Sequence, residues 1–350
     1  MDAEMSATID IGVVVIGRNE GERLKRCLRS LPENCPVVYV DSGSTDGSVE
    51  FARSIGVDVL ELDMAIPFTA ARARNAGWKY LNEAGSNLDF IQFIDGDCEI
   101  FPDWFVQAVS ALRSEQKMAA VFGRLRERFP DSSIYNRMCD AEWNVPVGVV
   151  DHCGGNAMFR CSTLALTGGF NEELIAGEEP DLCLRMQQNG YFVQKISADM
   201  GLHDAAIFTF GSWWKRTKRG GYAYAEHVCR HRLLSFPNWR RQLGSMIFWT
   251  TGLPTFLVAV LLLVFQQPLY ALWSACTIWV VLYGLQISRI AFRNSQNGAS
   301  KSHAILSAAF LMIGKIPQMI GAITFLSNRI RRKRQMLIEH RANAHPSMRP

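Results

Sequence analysis

Along the first third of the chain, short runs of β-branched and aromatic residues alternate with stretches whose apolar positions recur every three to four residues. Residues 11–16 are continuously apolar, as a strand buried on both faces requires. Helical spacing follows at Leu24, Cys27, Leu28 and Leu31 and stops at Pro32. The same reading predicts strands over 36–40, 57–62 and 90–94. It predicts helices over 48–55, 70–81 and 102–112, the second with Ala73, Ala76, Gly77 and Tyr80 on its apolar side. Strands alternating with helices build βαβ units around a parallel sheet, an α/β fold. Ligands bind such sheets beyond the carboxyl ends of the strands. Three predicted ends carry polar loops, at 17–20, 41–46 and 95–97, and they are expected to converge on one site. Residues 121–207 are less regular. Their clearest element is a helix over 177–190, with acids in its first turn, Pro180 near its start and Gly190 at its end.

From residue 246 the pattern changes. Residues 246–265 and 269–288 are two uncharged stretches of 20 residues each, separated only by 266–268. A bilayer core of about 30 Å needs roughly 20 such residues, so this is a transmembrane hairpin. A third apolar stretch, 303–326, is interrupted by Lys315 and Pro317, and a basic tail follows over 329–350. If 303–326 crossed, the basic tail would lie outside, against the tendency of Lys and Arg to stay cytoplasmic. A lysine centred in lipid would also cost about 2.5–3.5 kcal/mol. The expectation is an interfacial or re-entrant helix kinked at Pro317, with a true third span as the alternative. Arg230, Arg232, Arg240 and Arg241 precede the first span and place the preceding domain in the cytoplasm.

Charge sharpens this division. The net charge is +4, but residues 207–350 hold 19 Lys and Arg against 2 Asp and Glu, or +17, which leaves −13 for residues 1–206. An acidic domain followed by a basic, apolar one excludes a single uniform globule and points to a membrane-associated second half. The nine cysteines show no CxxC pair and read as reduced thiols. Residues 1–10 carry three acids, and the apolar run after them is too short for a signal peptide.

Candidate chemistry lies in the loops. Asp95-Gly-Asp97 follows a buried strand, and strand alternation places the two carboxylates on one side, where a hard divalent cation with a diphosphate relieves their repulsion. Asp41 begins a loop of turn-formers. The loop reads as an Asx/Ser turn that caps the next helix with Asp46 or Ser48 as N-cap, or as one in which Asp41 accepts from a base or ribose, and the two readings are compatible. Its glycines do not fit a dinucleotide fingerprint. Arg72 and Arg74 stand two apart on a helix, so one can reach the site while the other is solvated, and spacing alone favours the surface for both. Glu178 and Glu179 complement a helix N-terminus, and Asp181 with Arg185 is a structural i,i+4 pair. His203 is by itself more often structural than a ligand. Residues 213–221 form a basic, aromatic cluster. Its place ahead of the hairpin favours lipid headgroups or phosphate over nucleic acid.

The ordered motifs Val-Val-Val-Ile-Gly-Arg-Asn-Glu, Val-Asp-Ser-Gly-Ser-Thr-Asp-Gly, Ala-Arg-Ala-Arg-Asn-Ala-Gly, Ile-Asp-Gly-Asp and Gly-Glu-Glu-Pro-Asp-Leu-Cys-Leu-Arg resemble the family 2 glycosyltransferases over residues 11–224. The membrane tail resembles bacterial members that build exopolysaccharide, lipopolysaccharide or glycolipid. The resemblance implies a GT-A domain over 1–225, a membrane-associated helical region over 226–350, a nucleotide-diphosphate sugar donor, Mn²⁺ or Mg²⁺, and an inverting displacement. It also implies residue roles. Asp95 and Asp97 hold metal and diphosphate, and His203 completes the metal shell. Arg18, Asn19, Glu20, Asp41 and Ser42 contact base and ribose, and Arg72 and Arg74 line the donor. The family's catalytic base, usually an Asp, falls on Glu179, with Glu178 the neighbouring candidate. Arg216, beside Trp214, is a candidate for the departing diphosphate. The implied enzyme sits in the bacterial inner membrane, faces the cytoplasm and takes a lipid-linked or glycan acceptor. The alternatives are transfer to polyprenyl phosphate, which needs no base, and a non-catalytic, membrane-tethered nucleotide-sugar-binding protein.

Overall fold

A strand of valine and isoleucine such as β1 (Ile11–Gly17) is buried along its length and needs partners on both edges. The computed structural model supplies them; it describes residues 11–84, 88–265, 267–296, 298 and 300–331. The termini, including the acidic start and most of the basic tail, lie outside the described residues. The chain divides into two compact units at Ile207 and Phe208.

In chain order the first unit holds β1, α1 (Glu22–Arg29), β2 (Val37–Asp41), α2 (Ser48–Ser54), β3 (Asp58–Glu61), α3 (Ala70–Glu83), β4 (Phe90–Asp95), β5 (Cys98–Ile100), α4 (Trp104–Ser114), β6 (Met118–Glu127), α5 (Ile134–Trp143), β7 (Gly148–Val150), β8 (Ala157–Arg160), α6 (Cys161–Thr167), α7 (Glu178–Gln188) and β9 (Phe192–His203). The sheet runs β3-β2-β1-β4-β8-β6-β9-β5, with β7 on β9. Strands β1–β4 pair in parallel. Ile16 stands opposite Asp95 and Gly17 opposite Asp41, so the ends of β1, β2 and β4 lie in line, as the alternation predicts.

The second half of the sheet departs from the expectation. β8 runs antiparallel to β4 and β6, and the stretch that read as irregular contains the two longest strands, β6 and β9, which pair in parallel through three register shifts. Their sequences carry glycines and charged residues among the apolar ones, which blurs the period of two. Among the largest side chains in the core are Trp104, Tyr39, Phe93 and Phe159; the Trp104 indole donates to the buried Gln92 amide at 2.8 Å.

Helix α3 is the element that matters most for the site. Thr69 caps it by accepting from Arg72 N at 3.1 Å. Its buried face is Ala71, Ala73, Arg74, Asn75, Gly77 and Leu81, whereas Tyr80, expected on that side, is exposed. Gly77 lets the helix approach the sheet, because a Cβ there would stand 2.5 Å from Val14 Cγ1 and 2.9 Å from Val40 Cγ2.

The second unit is helical: α8 (Phe210–His231), α9 (Pro237–Ile247), α10 (Leu253–Val264), α11 (Pro268–Gln296), α12 (Lys301–Ile313) and α13 (Lys315–Ile330), with a π-helical turn at Phe248–Gly252. Helix α8 packs on α13 through glycines, Gly221 against Gln318 backbone and Gly321 against Lys218 backbone. Three helical stretches are long and apolar enough to cross a membrane: Pro237–Val264, Pro268–Gln296 and Lys301–Ile330. The third is interrupted at Gly314, between α12 and α13, three residues before the expected kink. Pro317 removes the amide that would bond to the Ile313 carbonyl. Lys315 does not face lipid. It is buried and donates to Gln242 Oε1 at 2.8 Å, so the lipid-exposure cost argued against a third crossing does not apply.

Candidate active site

Arg74 is the centre of the site. Its place on the inner face of α3 puts the guanidinium, only 3% exposed, among three carboxylates. Nη2 donates to Asp95 Oδ1, while Nη1 meets Glu178 Oε1 and Glu179 Oε1, each at 3.0 Å. The Phe170 ring lies 5.6 Å from the guanidinium carbon. Burial works against the charge, but Glu179, Asp95 and Glu178 outweigh it and raise the Arg74 pKa. The surface reading of Arg74 is therefore wrong. Arg72 turns the other way and ties Ile66 O and Asp63 O, both at 2.9 Å, to the start of the helix.

Glu178 and Glu179 open α7, after Gly177 in a left-handed conformation with φ 83°. Glu178 is buried, while Glu179 keeps 14% of its side chain exposed. Burial, reinforced by the Glu178 charge and opposed by Arg74, pushes the Glu179 carboxyl up from an ordinary 4.5 to about 7. Asp181 pairs with Arg185 at 2.9 Å, and Arg185 also donates to Thr167 O and Gly169 O, a structural clamp as expected.

Asp95 and Asp97 do not share one strand face. β4 ends at Asp95, and the chain turns through Gly96 and Asp97 before β5 begins. Asp95 belongs to the arginine cluster; Asn156 accepts from its backbone N at 2.9 Å and donates to its Oδ2 at 3.2 Å. Asp97, with a fully buried side chain, meets His203 Nε2 at 2.9 Å, and the His203 ring lies 4.3 Å from the Trp143 ring. Among the described residues, Asp97, Cys98 and His203 form the group whose donor atoms all lie within 4.8 Å of one another. Burial, then Asp97 and Asp95, holds the Cys98 thiol protonated, which leaves a carboxylate and an imidazole as donors. That pair fits Mn²⁺, and fits Mg²⁺ less well because Mg²⁺ prefers an all-oxygen shell.

The ends of β1 and β2 form a second cluster. Asn19, at φ 53°, accepts from Thr45 N at 2.7 Å, and its own amide donates to Ser44 Oγ at 2.9 Å. Asp41 is 2% exposed; Oδ1 accepts from the Tyr39 hydroxyl and Oδ2 from Gly43 N and Ser44 N, all at 2.8 Å. Both oxygens thus shape the loop, the turn reading of Asp41. Ser42 is buried beside it, Glu20 is buried and pairs with Arg23 at 2.9 Å, and Arg18 is exposed. Gly47, in a left-handed conformation, occupies the cap position of α2, with Asp46 accepting from Ser48 N at 3.1 Å. Arg216 lies on α8 of the second unit.

Sequence reasoning passed over Gly155 and Asn156. A Cβ on Gly155 would stand 2.9 Å from Asp95 Oδ2 and 3.2 Å from Glu179 Oε1, and closer still to the Arg74 guanidinium. A Gly-Gly-Asn run just ahead of the apolar β8 was the available signal.

The model for Glycosyl transferase family 2 matches residues 12–165, and that for Glycosyl transferase family group 2 matches residues 123–288. The chain belongs to the family 2 glycosyltransferases. It is a glycosyltransferase that uses a nucleotide sugar. It is 25% identical over 234 residues to glycosyltransferase AglE of Haloferax volcanii, covering 62% of this chain and 74% of that one. It is 30% identical over 137 residues to a TPR repeat-containing protein of Synechococcus elongatus, covering 38% of this chain and 31% of that one. A solved structure of the mannosyltransferase PcManGT from Pyrobaculum calidifontis, in complex with GDP-Man and Mn²⁺, superposes with a TM-score of 0.56 at 15% identity, over 91% of this chain and 87% of that one. That likeness places the glycosyltransferase in the GT-A class of folds.

Gly155→Ala is expected to displace the Arg74 guanidinium and lower kcat/KM by about 10², the scale of a 1 Å misplacement in an active site. The circular dichroism spectrum should be retained. Wild-type turnover in this variant would contradict the packing of Gly155 against the cluster.

Proposed function

We propose that this chain is a membrane-anchored, metal-dependent, inverting glycosyltransferase that moves a sugar from a nucleoside-diphosphate donor to a hydroxyl of a lipid-linked or glycan acceptor, in envelope polysaccharide or glycolipid synthesis. The observation that carries the reading is Glu179: a partly exposed carboxylate, fixed by Arg74 beside Asp95, with its pKa at about 7. A general base works best when its pKa lies near the working pH. Glu179 accepts the proton of the acceptor hydroxyl as that oxygen attacks the anomeric carbon, and the diphosphate leaves from the opposite face. Glu178, buried on the same guanidinium nitrogen, holds Arg74 and so fixes where Glu179 points. Asp97 and His203 would hold the divalent cation, and when bound that cation supplies neutralisation of charge on the diphosphate. The loop shaped by Asn19 and Asp41 is the seat for the nucleoside. The GDP-Man and Mn²⁺ of the mannosyltransferase structure support the donor class and the metal. The three apolar helical stretches and the basic residues beside them support a membrane anchor with the catalytic unit on the cytoplasmic side.

A base with a pKa of about 7 is active as the carboxylate. Below that value kcat/KM should fall about tenfold per pH unit, and above it the rate should level off. Glu179→Gln is expected to lower transfer by about 10² or more and to abolish this limb, with donor binding retained. Transfer that survives Glu179→Gln would favour a phosphate acceptor, which needs no base. Loss in Glu178→Gln alone would move the base by one residue.

Metal removal gives a separate test. Excess EDTA should abolish transfer, and Mn²⁺ should restore it in the wild type but not in Asp97→Ala. Undiminished turnover in EDTA would contradict the metal assignment.

A further inference from the structure

The helical unit contains a cavity of about 560 Å³, formed by α9, α11, α12 and the start of α13. Four cations line it: Arg241, Arg289, Arg293 and Lys315. No Asp or Glu is among the lining residues. Residues 208–331 hold a single carboxylate, Glu226, which pairs with Arg230. Four like charges around one cavity repel, and among the described residues of this unit no carboxylate lines the cavity to offset them. Lys315 is only 4% exposed, and one of its three N–H groups is taken by Gln242. A charged lysine buried this deeply is costly unless an anion pairs with it.

The place of the cavity in the fold indicates the kind of anion. Arg241 lies near the start of the apolar stretch Pro237–Val264, and Arg289 and Arg293 lie near the end of Pro268–Gln296. These two stretches are joined as a hairpin, so the arginines share one end of it. Trp249, Trp279 and Tyr283 cluster about midway along these two stretches, with Trp249 and Tyr283 centroids 5.7 Å apart and the Trp279 indole donating to Trp249 O at 3.0 Å. At the rim, Phe292 is 69% exposed and Leu311 44%, an apolar surface continuous with the cationic interior.

We propose that this cavity binds the phosphate headgroup of a membrane lipid, with Arg289 and Arg293 as principal phosphate donors, Arg241 and Lys315 completing the shell, and the lipid chain lying over Phe292 and Leu311. Guanidinium groups recognise phosphate through paired, charge-assisted hydrogen bonds. The volume falls in the range of small-molecule sites and holds a phosphate or diphosphate together with the first part of its lipid. The proposal concerns the helical unit alone and does not rest on the assignment of Glu179 as base.

The test is native mass spectrometry of the full-length protein released from phosphatidylcholine nanodiscs, doped in separate arms with phosphatidylglycerol or with a polyprenyl phosphate. One phosphate-bearing anionic lipid should be retained in preference to phosphatidylcholine. Its retention should fall by about tenfold in Arg289→Gln/Arg293→Gln, the weight of one charge-assisted hydrogen bond. Both arginines are exposed at the cavity wall, so this variant should keep the fold, and unchanged binding of the sugar nucleotide checks that. Preference for the polyprenyl arm identifies an isoprenoid phosphate; preference for the other identifies a structural phospholipid. Retention that is equal for wild type and variant overturns the site. Displacement of the lipid by an equal concentration of inorganic phosphate overturns the lipid assignment in favour of a free anion.

Discussion

One buried guanidinium organises the catalytic unit. Arg74 is 3% exposed and touches carboxylates from two separate elements, β4 and the N-terminus of α7. Removing such an ion from water costs several kcal/mol, and only close, well-directed partners offset that cost. The rest of the neighbourhood is built to supply them. Thr69 starts α3 at the right residue, Gly77 lets the helix sit close on Val14 and Val40, and Gly155 leaves the space the guanidinium fills. Loss of Arg74 would leave Asp95, Glu178 and Glu179 facing one another with no cation between them, a defect of the order of 3–5 kcal/mol.

The same arrangement sets the chemistry. Burial first, and then the Glu178 charge that one guanidinium only partly offsets, pushes the Glu179 carboxyl up to about 7. Asp97 stands apart from this group, turned towards His203 and Trp143. The two aspartates of the Asp95-Gly-Asp97 motif therefore serve different neighbours: the first joins the arginine and the acids of α7, and the second joins the imidazole. Two residues separated by a single position in sequence thus belong to two separate polar clusters.

Much of this was legible in the chain. The continuous apolar runs at β1, β2 and β4 announce a parallel sheet, and the polar residues after them mark the ends that line up. The two uncharged stretches after residue 246 announce the hairpin. What spacing could not show is long-range. Arg74 reads as a surface residue by its position in α3, because the carboxylates that justify its burial are about 20 and 100 residues away. β6 and β9 were missed since glycines and charges interrupt their alternation. Strand alternation put Asp95 and Asp97 on one side, whereas the turn at Gly96 separates them. Lys315 reads as costly in an apolar segment, whereas in the fold it is buried and donates to Gln242, a partner 73 residues away.

The account depends most directly on the electrostatic state of Glu179. Its side-chain carboxyl can be followed by ¹³C NMR in glutamate-labelled full-length protein, with Glu179→Gln to assign the resonance. The expected midpoint is about 7 in the wild type. It should move higher in Arg74→Gln, because the guanidinium charge opposes protonation of Glu179. A wild-type midpoint near the ordinary 4.5, unmoved by Arg74→Gln, would contradict the arginine-centred site.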